Sequence, residues 1–339
     1  MQMKTLQKIP VPEYPKSLSF GFSEGFCNLR CPKCPVHGSS KEAQTLIRGN
    51  MNLQEACRLF DELKGKDVVV AGNGYSEPFL QKDFWDYLKA MKGRGLTVNL
   101  NTNGLLMTEE YAKHIIDLKI DCIFISIDAT TRETLNHVRS TSKLEKIHEA
   151  VFHLLKARGE TRHTRIGVSF VVEEINRHEK DDFVNYWIQH VDAVRVAEAY
   201  IPQEMVKERL QQGRKPCSIL YNTLLIHNNG NTPLCCWDGH GITNVGNVFQ
   251  TSIKDVWHGK EMEKARYYHE TGQFDKVPFC KNCNDWMRYD FTENKIKGDV
   301  LVRSSPLLTY YNRLDRLITW RFGKGPHVKE NGPDTNEVS

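Results

Sequence analysis

No stretch of about 18 consecutive apolar residues occurs in this 339-residue chain, so no transmembrane helix is expected. The first twenty residues, MQMKTLQKIPVPEYPKSLSF, lack the apolar core of a secretory signal, and a cytoplasmic location follows as the default expectation. An excess of one charge is missing too. Basic residues number 46 and acidic residues 42, and a net charge of +4 is too balanced for a nucleic-acid-binding surface. Internal repeats and low-complexity tracts are absent. What is left is an ordinary globular composition, long enough for one large domain and a smaller one.

Cysteine is what the chain has in excess. Eight of its ten cysteines fall in two groups, Cys27 to Cys34 and Cys217 to Cys283. A reducing compartment makes them poor disulfide candidates, and clustered thiols there point to metal. Cys57 lies in a helical pattern and Cys122 in a strand, and both are expected to be small buried hydrophobes.

Between and around the cysteines the chain alternates. Strands are expected at 17–22, 67–71, 96–101, 121–127, 165–172 and 192–197. Helices are expected at 52–64, 82–93, 108–118, 143–158 and 178–190. Strands alternating with helices argue for a parallel α/β sheet, whose ligands sit at the C-terminal ends of the strands. The first cysteine loop directly follows the first strand and lies at that end. Residues 198–216 read as a linker, and 217–290 as a small separate domain with weak helical periodicity until about 252–268. Residues 307–322 read as a helix with Leu307, Tyr311, Leu314 and Ile318 on one face, expected to dock on the body of the protein. The segment after Gly323 reads as disordered.

Cys27-x3-Cys31-x2-Cys34 offers three thiolates from one short loop. On a four-iron cluster three ligands leave one iron open, which is what a reactive cofactor needs. The competing reading is a zinc knuckle lacking one ligand, although zinc more often takes a Cys-x2-Cys pair with a second pair further on.

This triad after a first strand resembles the radical S-adenosylmethionine (SAM) superfamily. The resemblance implies a partial (β/α)6 barrel, with SAM bound at the open iron and cleaved to a radical that abstracts hydrogen from carbon. Gly74-Tyr75-Ser76-Glu77-Pro78 resembles the family's Gly-Gly-Glu-Pro segment, which implies SAM contacts at Tyr75, Ser76 and Glu77, with Glu77 accepting from the SAM amino group. Asn103 in Asn101-Thr102-Asn103-Gly104, Ser126 and Asp128 at the fourth strand, and Arg139 are similar to further cofactor contacts, Arg139 to one that pairs with the SAM carboxylate. Lys33 departs from the family, many of whose members carry an aromatic residue there that packs on adenine.

The second group, Cys217-x17-Cys235 followed after 44 residues by Cys280-x2-Cys283, supplies four thiols, enough to close a metal site. Zinc is a serious contender on spacing alone. The segment resembles the SPASM or twitch auxiliary-cluster domain through Cys217, Gly230 ahead of Leu234-Cys235, Val245-Gly246-Asn247-Val248, Ser252 to Trp257, and Cys280-Lys281-Asn282-Cys283. No cysteine follows Cys283, so the resemblance implies one fully ligated auxiliary 4Fe–4S cluster beside the SAM-binding one. The cysteine pattern is most similar to that of 2-deoxy-scyllo-inosamine dehydrogenases, which oxidise an alcohol on an aminocyclitol.

The expected organisation is an N-terminal segment 1–16, a barrel 17–200, an auxiliary-cluster domain 201–290, and a C-terminal helix and tail 291–339. The expected activity is oxidation of an alcohol carbon on a sugar- or cyclitol-like small molecule, with the auxiliary cluster as electron acceptor. A flavodoxin- or ferredoxin-type partner would supply electrons. Peptide modification or epimerisation is the alternative, with Cys236 as a hydrogen donor, and a non-enzymatic iron–sulfur or zinc protein is a third reading. Glu198, Tyr200 and Asp238, near the barrel mouth or the auxiliary domain, are candidate bases, and none is singled out by the sequence.

Overall fold

The structure, a computed structural model, describes residues 8–34, 36–38, 49–72, 75–161, 163–199, 203–236, 238–239 and 241–319. Six strands run parallel in chain order: β1 (Ser17–Phe20), β2 (Val69–Ala71), β3 (Thr97–Thr102), β4 (Cys122–Ser126), β5 (Arg165–Val172) and β6 (Ala193–Glu198). The connections carry α1 (Leu53–Leu63), α2 (Phe84–Gly93), α3 (Glu109–Asp117), α4 (Arg132–Arg139), α5 (Leu144–Arg158) and α6 (Lys180–Trp187). This is the expected partial (β/α)6 barrel.

Local chemistry sets the elements. Asn52 caps α1, its side-chain oxygen accepting from Gln54 N at 2.8 Å, and Ala56, Leu59, Phe60 and Leu63 face the core. In β4 four successive residues, Cys122 to Phe124 and Ile125, are buried, as in a strand covered on both faces. Thr131 caps α4, its hydroxyl accepting from Thr134 N at 3.2 Å, and Leu135 and Val138 are buried on one face of a short, otherwise polar helix.

The sheet runs across the boundaries expected near 200 and 290. Strand β7 (Thr223–Ile226) lies parallel to β1. At the other edge β8 (Glu293–Lys297), β9 (Val300–Ser304) and β10 (Leu308–Arg313) form an antiparallel meander, with β10 on β6. The sheet thus has ten strands. The segment read as a linker contains α7 (Gln203–Gln211), and α8 (Ile219–Asn222), α9 (Ile253–Trp257) and α10 (Lys260–Glu270) follow.

The helix expected at 307–322 is corrected. Residues 308–313 are strand β10, and Leu314–Thr319 form a short 3-10 helix. Thr309, Tyr310 and Tyr311 favour extended backbone, and the free edge of β6 supplies hydrogen-bond partners that a helix would forgo. Buried Asn312 fixes the register by accepting from Arg165 and donating to Leu301 O at 3.1 Å. Two of the basic residues there turn to acidic partners, Arg313 to Asp315 at 2.8 Å and Arg316 to Asp192 at 3.8 Å. The segment expected to be disordered after Gly323 lies outside the described residues. Among the described residues no helix is long and apolar enough to cross a membrane.

Candidate metal centres and cofactor site

The first cysteine loop leaves β1 through a short ladder, Ser23–Glu24 against Gly49–Asn50. Cys27, Cys31 and Cys34 are half-buried. Backbone N–H groups already point at two of the sulfurs: Leu29 N donates to Cys27 Sγ at 3.4 Å, and His37 N to Cys34 Sγ at 3.3 Å. Burial pushes the Cys27 and Cys31 thiols up, and each thiolate disfavours its neighbours. Three such thiols become thiolates together only when a cationic centre compensates them, and the irons of a cluster do this. Among the described residues no three His, Cys, Asp or Glu side chains close on a single ion. Thiolates sharing one tetrahedral zinc would stand about 3.8 Å apart, whereas cluster thiolates serve separate irons.

The barrel holds this loop at several points. Glu77 N donates to Phe26 O at 2.9 Å, Asn103 Nδ2 to Asn28 Oδ1 at 2.7 Å, and Ser140 Oγ to Arg30 O at 2.9 Å. Asn103 Nδ2 also approaches Cys27 Sγ at 3.9 Å. Asn103 therefore braces the loop from the end of β3.

Glu77 is buried beside it. One carboxylate oxygen accepts from Thr102 Oγ1 at 2.6 Å and the other from Asn103 N at 2.8 Å. Burial outweighs these bonds and pushes the carboxyl up to about 7. Its pKa in the folded state thus exceeds that of the unfolded chain. The associated stability is full below about 4.5 and is lost as pH rises through about 7, a change of about 3 kcal/mol. Glu77→Gln, which carries no charge, is therefore expected to melt higher than the natural SAM-free protein by a margin that grows from pH 5 to pH 8. Thermal unfolding of both proteins across that range checks this, and a margin independent of pH would count against it.

At the ends of β4 and β5 a second buried carboxylate is fully paired. Asp128 Oδ2 meets Arg139 Nη2 at 2.7 Å and Lys33 Nζ at 3.0 Å, and Oδ1 accepts from Val171 N at 2.7 Å. Burial alone would raise this carboxyl, but Arg139 and Lys33 hold it below the usual range. Lys33 also reaches Glu173 at 2.9 Å. The residue between Cys31 and Cys34 thus ties the cysteine loop to the barrel mouth. Arg139 Nε is buried with no hydrogen-bond partner, a donor left over at the site. Ser126 Oγ lies 3.3 Å from Ser169 Oγ.

Tyr75 and Ser76 use their hydroxyls within the protein. Ser76 Oγ donates to Ser23 O, and Tyr75 donates to Cys236 O. The carbonyl of Tyr75 accepts from His37 Nε2 at 2.9 Å.

The thiols of the second group lie near enough to act on one another. Cys217, Cys235, Cys280 and Cys283 feel one another's charge, and burial with this mutual repulsion pushes Cys217 and Cys280 up to about 12. Asp285 N donates to Cys283 Sγ at 3.3 Å. Two residues without any sequence signal complete the site. Arg214 stacks on Phe274 at 4.2 Å and donates to Cys280 O at 2.7 Å, which brings a cation beside four thiols. Buried His269 accepts from Cys217 N at 3.2 Å, and burial lowers its pKa to about 4, so it stays neutral. Four half-buried, mutually repelling thiols with a nearby cation again fit a cationic cluster that compensates them.

The remaining candidates have structural partners. Glu198 pairs with Arg177 at 3.2 Å. Asp238 is buried, and its carboxylate accepts from Ile242 N at 2.9 Å and from Thr243 N and Oγ1, each at 2.6 Å, which locks the turn after Cys235. Cys236 bonds to Cys235, which with burial pushes its thiol well up. A buried pair that the sequence does not mark, Glu24 with His227 at 2.6 Å, joins the cysteine loop to β7.

Comparison with known proteins agrees with this geometry. Residues 25–186 match the model of the radical SAM superfamily, and residues 217–284 match that of an iron–sulfur cluster-binding domain, SPASM. A Pyrococcus furiosus protein described as a tungsten-containing aldehyde ferredoxin oxidoreductase cofactor-modifying protein is 25% identical over 76% of this chain and 84% of its own length. The mycofactocin maturase MftC of Mycobacterium tuberculosis is 23% identical over 50% of this chain, which spans only 41% of that relative. Among solved structures, BtrN in complex with AdoMet and 2-DOIA has a TM-score of 0.54 at 18% identity, covering 79% of this chain and 92% of that one. Streptococcus suis SuiB bound to S-adenosylmethionine has a TM-score of 0.60 at 15% identity, covering 76% and 68%.

Proposed function

Because the chain belongs to the radical SAM superfamily and carries a SPASM iron–sulfur domain, we propose that it removes a hydrogen atom from a substrate carbon and completes a two-electron oxidation. The observation that carries this reading is the set of four mutually repelling thiols, Cys217, Cys235, Cys280 and Cys283, which as ligands of one cluster would leave no position free for substrate. A closed site suits electron transfer better than substrate ligation. When bound, the clusters supply one electron for splitting SAM to the 5′-deoxyadenosyl radical and one electron acceptor for the substrate. The oxidation balances as one hydrogen atom, one proton and one electron leaving a carbinol to give the carbonyl.

The chain's own residues would position these parts. Cys27, Cys31 and Cys34 would hold the SAM-binding cluster. Glu77, costly as a buried carboxylate, would be offset by the SAM ammonium. Arg139, with Nε unpartnered, would pair with the SAM carboxylate while Asp128 fixes its orientation. Lys33 is turned to Asp128 and Glu173, where the resemblance placed an aromatic packing on adenine. A flavodoxin- or ferredoxin-type partner would deliver the first electron. The substrate class we favour is a sugar- or cyclitol-like alcohol, in keeping with a fold shared with BtrN over most of that chain.

A peptide substrate is the second reading. One observation favours it: β8, with all five residues exposed, leaves an edge to which an extended segment can add. The anaerobic enzyme with SAM, a reductant and each substrate class separates the readings. Deoxyadenosine formed together with a product lighter by two hydrogen atoms supports oxidation. A product of unchanged mass formed with deoxyadenosine rules it out.

A further inference from the structure

We propose that Tyr75 couples occupancy of the SAM site to the auxiliary cluster site, acting as a positioning residue between them. The inference rests on the reading of both cysteine groups as cluster ligands given above.

Tyr75 is hydrogen-bonded at both ends. Its carbonyl accepts from His37 Nε2 at 2.9 Å, and the backbone N–H of the same histidine donates to Cys34 Sγ at 3.3 Å. Its hydroxyl donates to the carbonyl of Cys236, the residue after Cys235. One residue, through its backbone carbonyl and its side-chain hydroxyl, therefore spans from the first cysteine loop to the turn of the second. The segment that carries Tyr75 continues into Ser76, bonded to Ser23, and Glu77, bonded to Thr102 and Asn103. A SAM molecule that engages Glu77 pulls on a segment whose preceding residue is fixed to the auxiliary turn.

The far end has little slack. A Cβ built on Gly239 would lie 3.0 Å from the Tyr75 ring, so a side chain there would press the ring and the turn apart by a few tenths of an ångström. Asp238 makes the turn rigid by taking three hydrogen bonds from Ile242 and Thr243. Movement of the Tyr75 ring is thus passed to the backbone at Cys235 and Cys236 rather than absorbed. A cluster's potential responds to hydrogen bonds and dipoles at its sulfurs, so such movement has an electronic readout. Coupling of this kind is reciprocal, and reduction of the auxiliary cluster would alter SAM-site affinity by the same factor.

The test uses holoenzyme and S-adenosylhomocysteine, which binds without being cleaved. Redox titration followed by electron paramagnetic resonance is expected to show a shift in the auxiliary cluster's midpoint potential when S-adenosylhomocysteine is added. Tyr75→Phe keeps the ring and removes the hydroxyl. Gly239→Ala wedges the turn away from the ring. Each variant is expected to retain both clusters, and the spectral change at the SAM-binding cluster, while losing the shift at the auxiliary one. Absence of the shift in the natural protein overturns the coupling, as does its persistence in either variant carrying both clusters. Iron content and the SAM-cluster signal report separately on the parent reading, so its failure is distinguishable.

Discussion

Cys31→Ala is expected to lower deoxyadenosine formation by more than about 100-fold, beyond the effect of removing an outer partner of a metal ligand. About four irons per chain should remain. Each thiolate of the triad would serve one iron, and no spare cysteine lies in that loop to replace Cys31. Cys31 also has a defined place in the fold, with its thiol 3.7 Å from Arg139 O. Its loss would therefore remove one tie of the cysteine loop to the end of α4, leaving that of Ser140 to Arg30 O, as well as a proposed ligand. The auxiliary cysteines lie on other elements, between α7 and β8, and should load as before. Deoxyadenosine measured by mass spectrometry, with iron and sulfide counted on the same sample, decides the matter. Cleavage retained at the natural rate would remove the triad from the mechanism.

Asp128→Ala is expected to cost about 3–5 kcal/mol of stability, the range for breaking a buried pair by removing one partner. Arg139 and Lys33 would remain, one deeply buried, without their shared counter-charge. Val171 N would lose its acceptor too. Asp128 also sits at φ 66°, a left-handed conformation in which alanine is strained and asparagine is tolerated. Asp128→Asn keeps the backbone and an acceptor, and should cost less than Ala. The carboxyl's folded pKa is lowered, so its contribution is present above the unfolded value of 3.8 and is lost as pH falls through the folded one. Urea unfolding of both variants near neutral pH measures the difference. An alanine variant within about 1 kcal/mol of the natural protein would mean that the pairing of Asp128 with Arg139 and Lys33 is not structural.

The barrel and the first cysteine group were legible because their signals are local. Expected 121–127 and observed Cys122–Ser126 agree because a run of buried apolar residues marks a covered strand. Cys27, Cys31 and Cys34 read as one group because a single loop holds them. The misses come from partners distant in sequence. Residues 307–322 satisfy a helical stripe on paper, and only the free edge of β6 makes 308–313 a strand. Arg214 and His269 lie beside the auxiliary thiols through packing that no spacing records. Tyr75 matched a cofactor segment, yet its hydroxyl is turned to Cys236, 161 residues away.

The central claim is that two separate clusters sit on one chain, one open to SAM and one closed by four cysteines. It is tested most directly by replacing Cys27, Cys31 and Cys34 together with alanine, reconstituting anaerobically, and recording iron content and the reduced electron paramagnetic resonance spectrum with and without SAM. The expected result is about four irons per chain in one 4Fe–4S cluster whose spectrum does not respond to SAM. A variant that holds no iron, or about one zinc per chain, would contradict it.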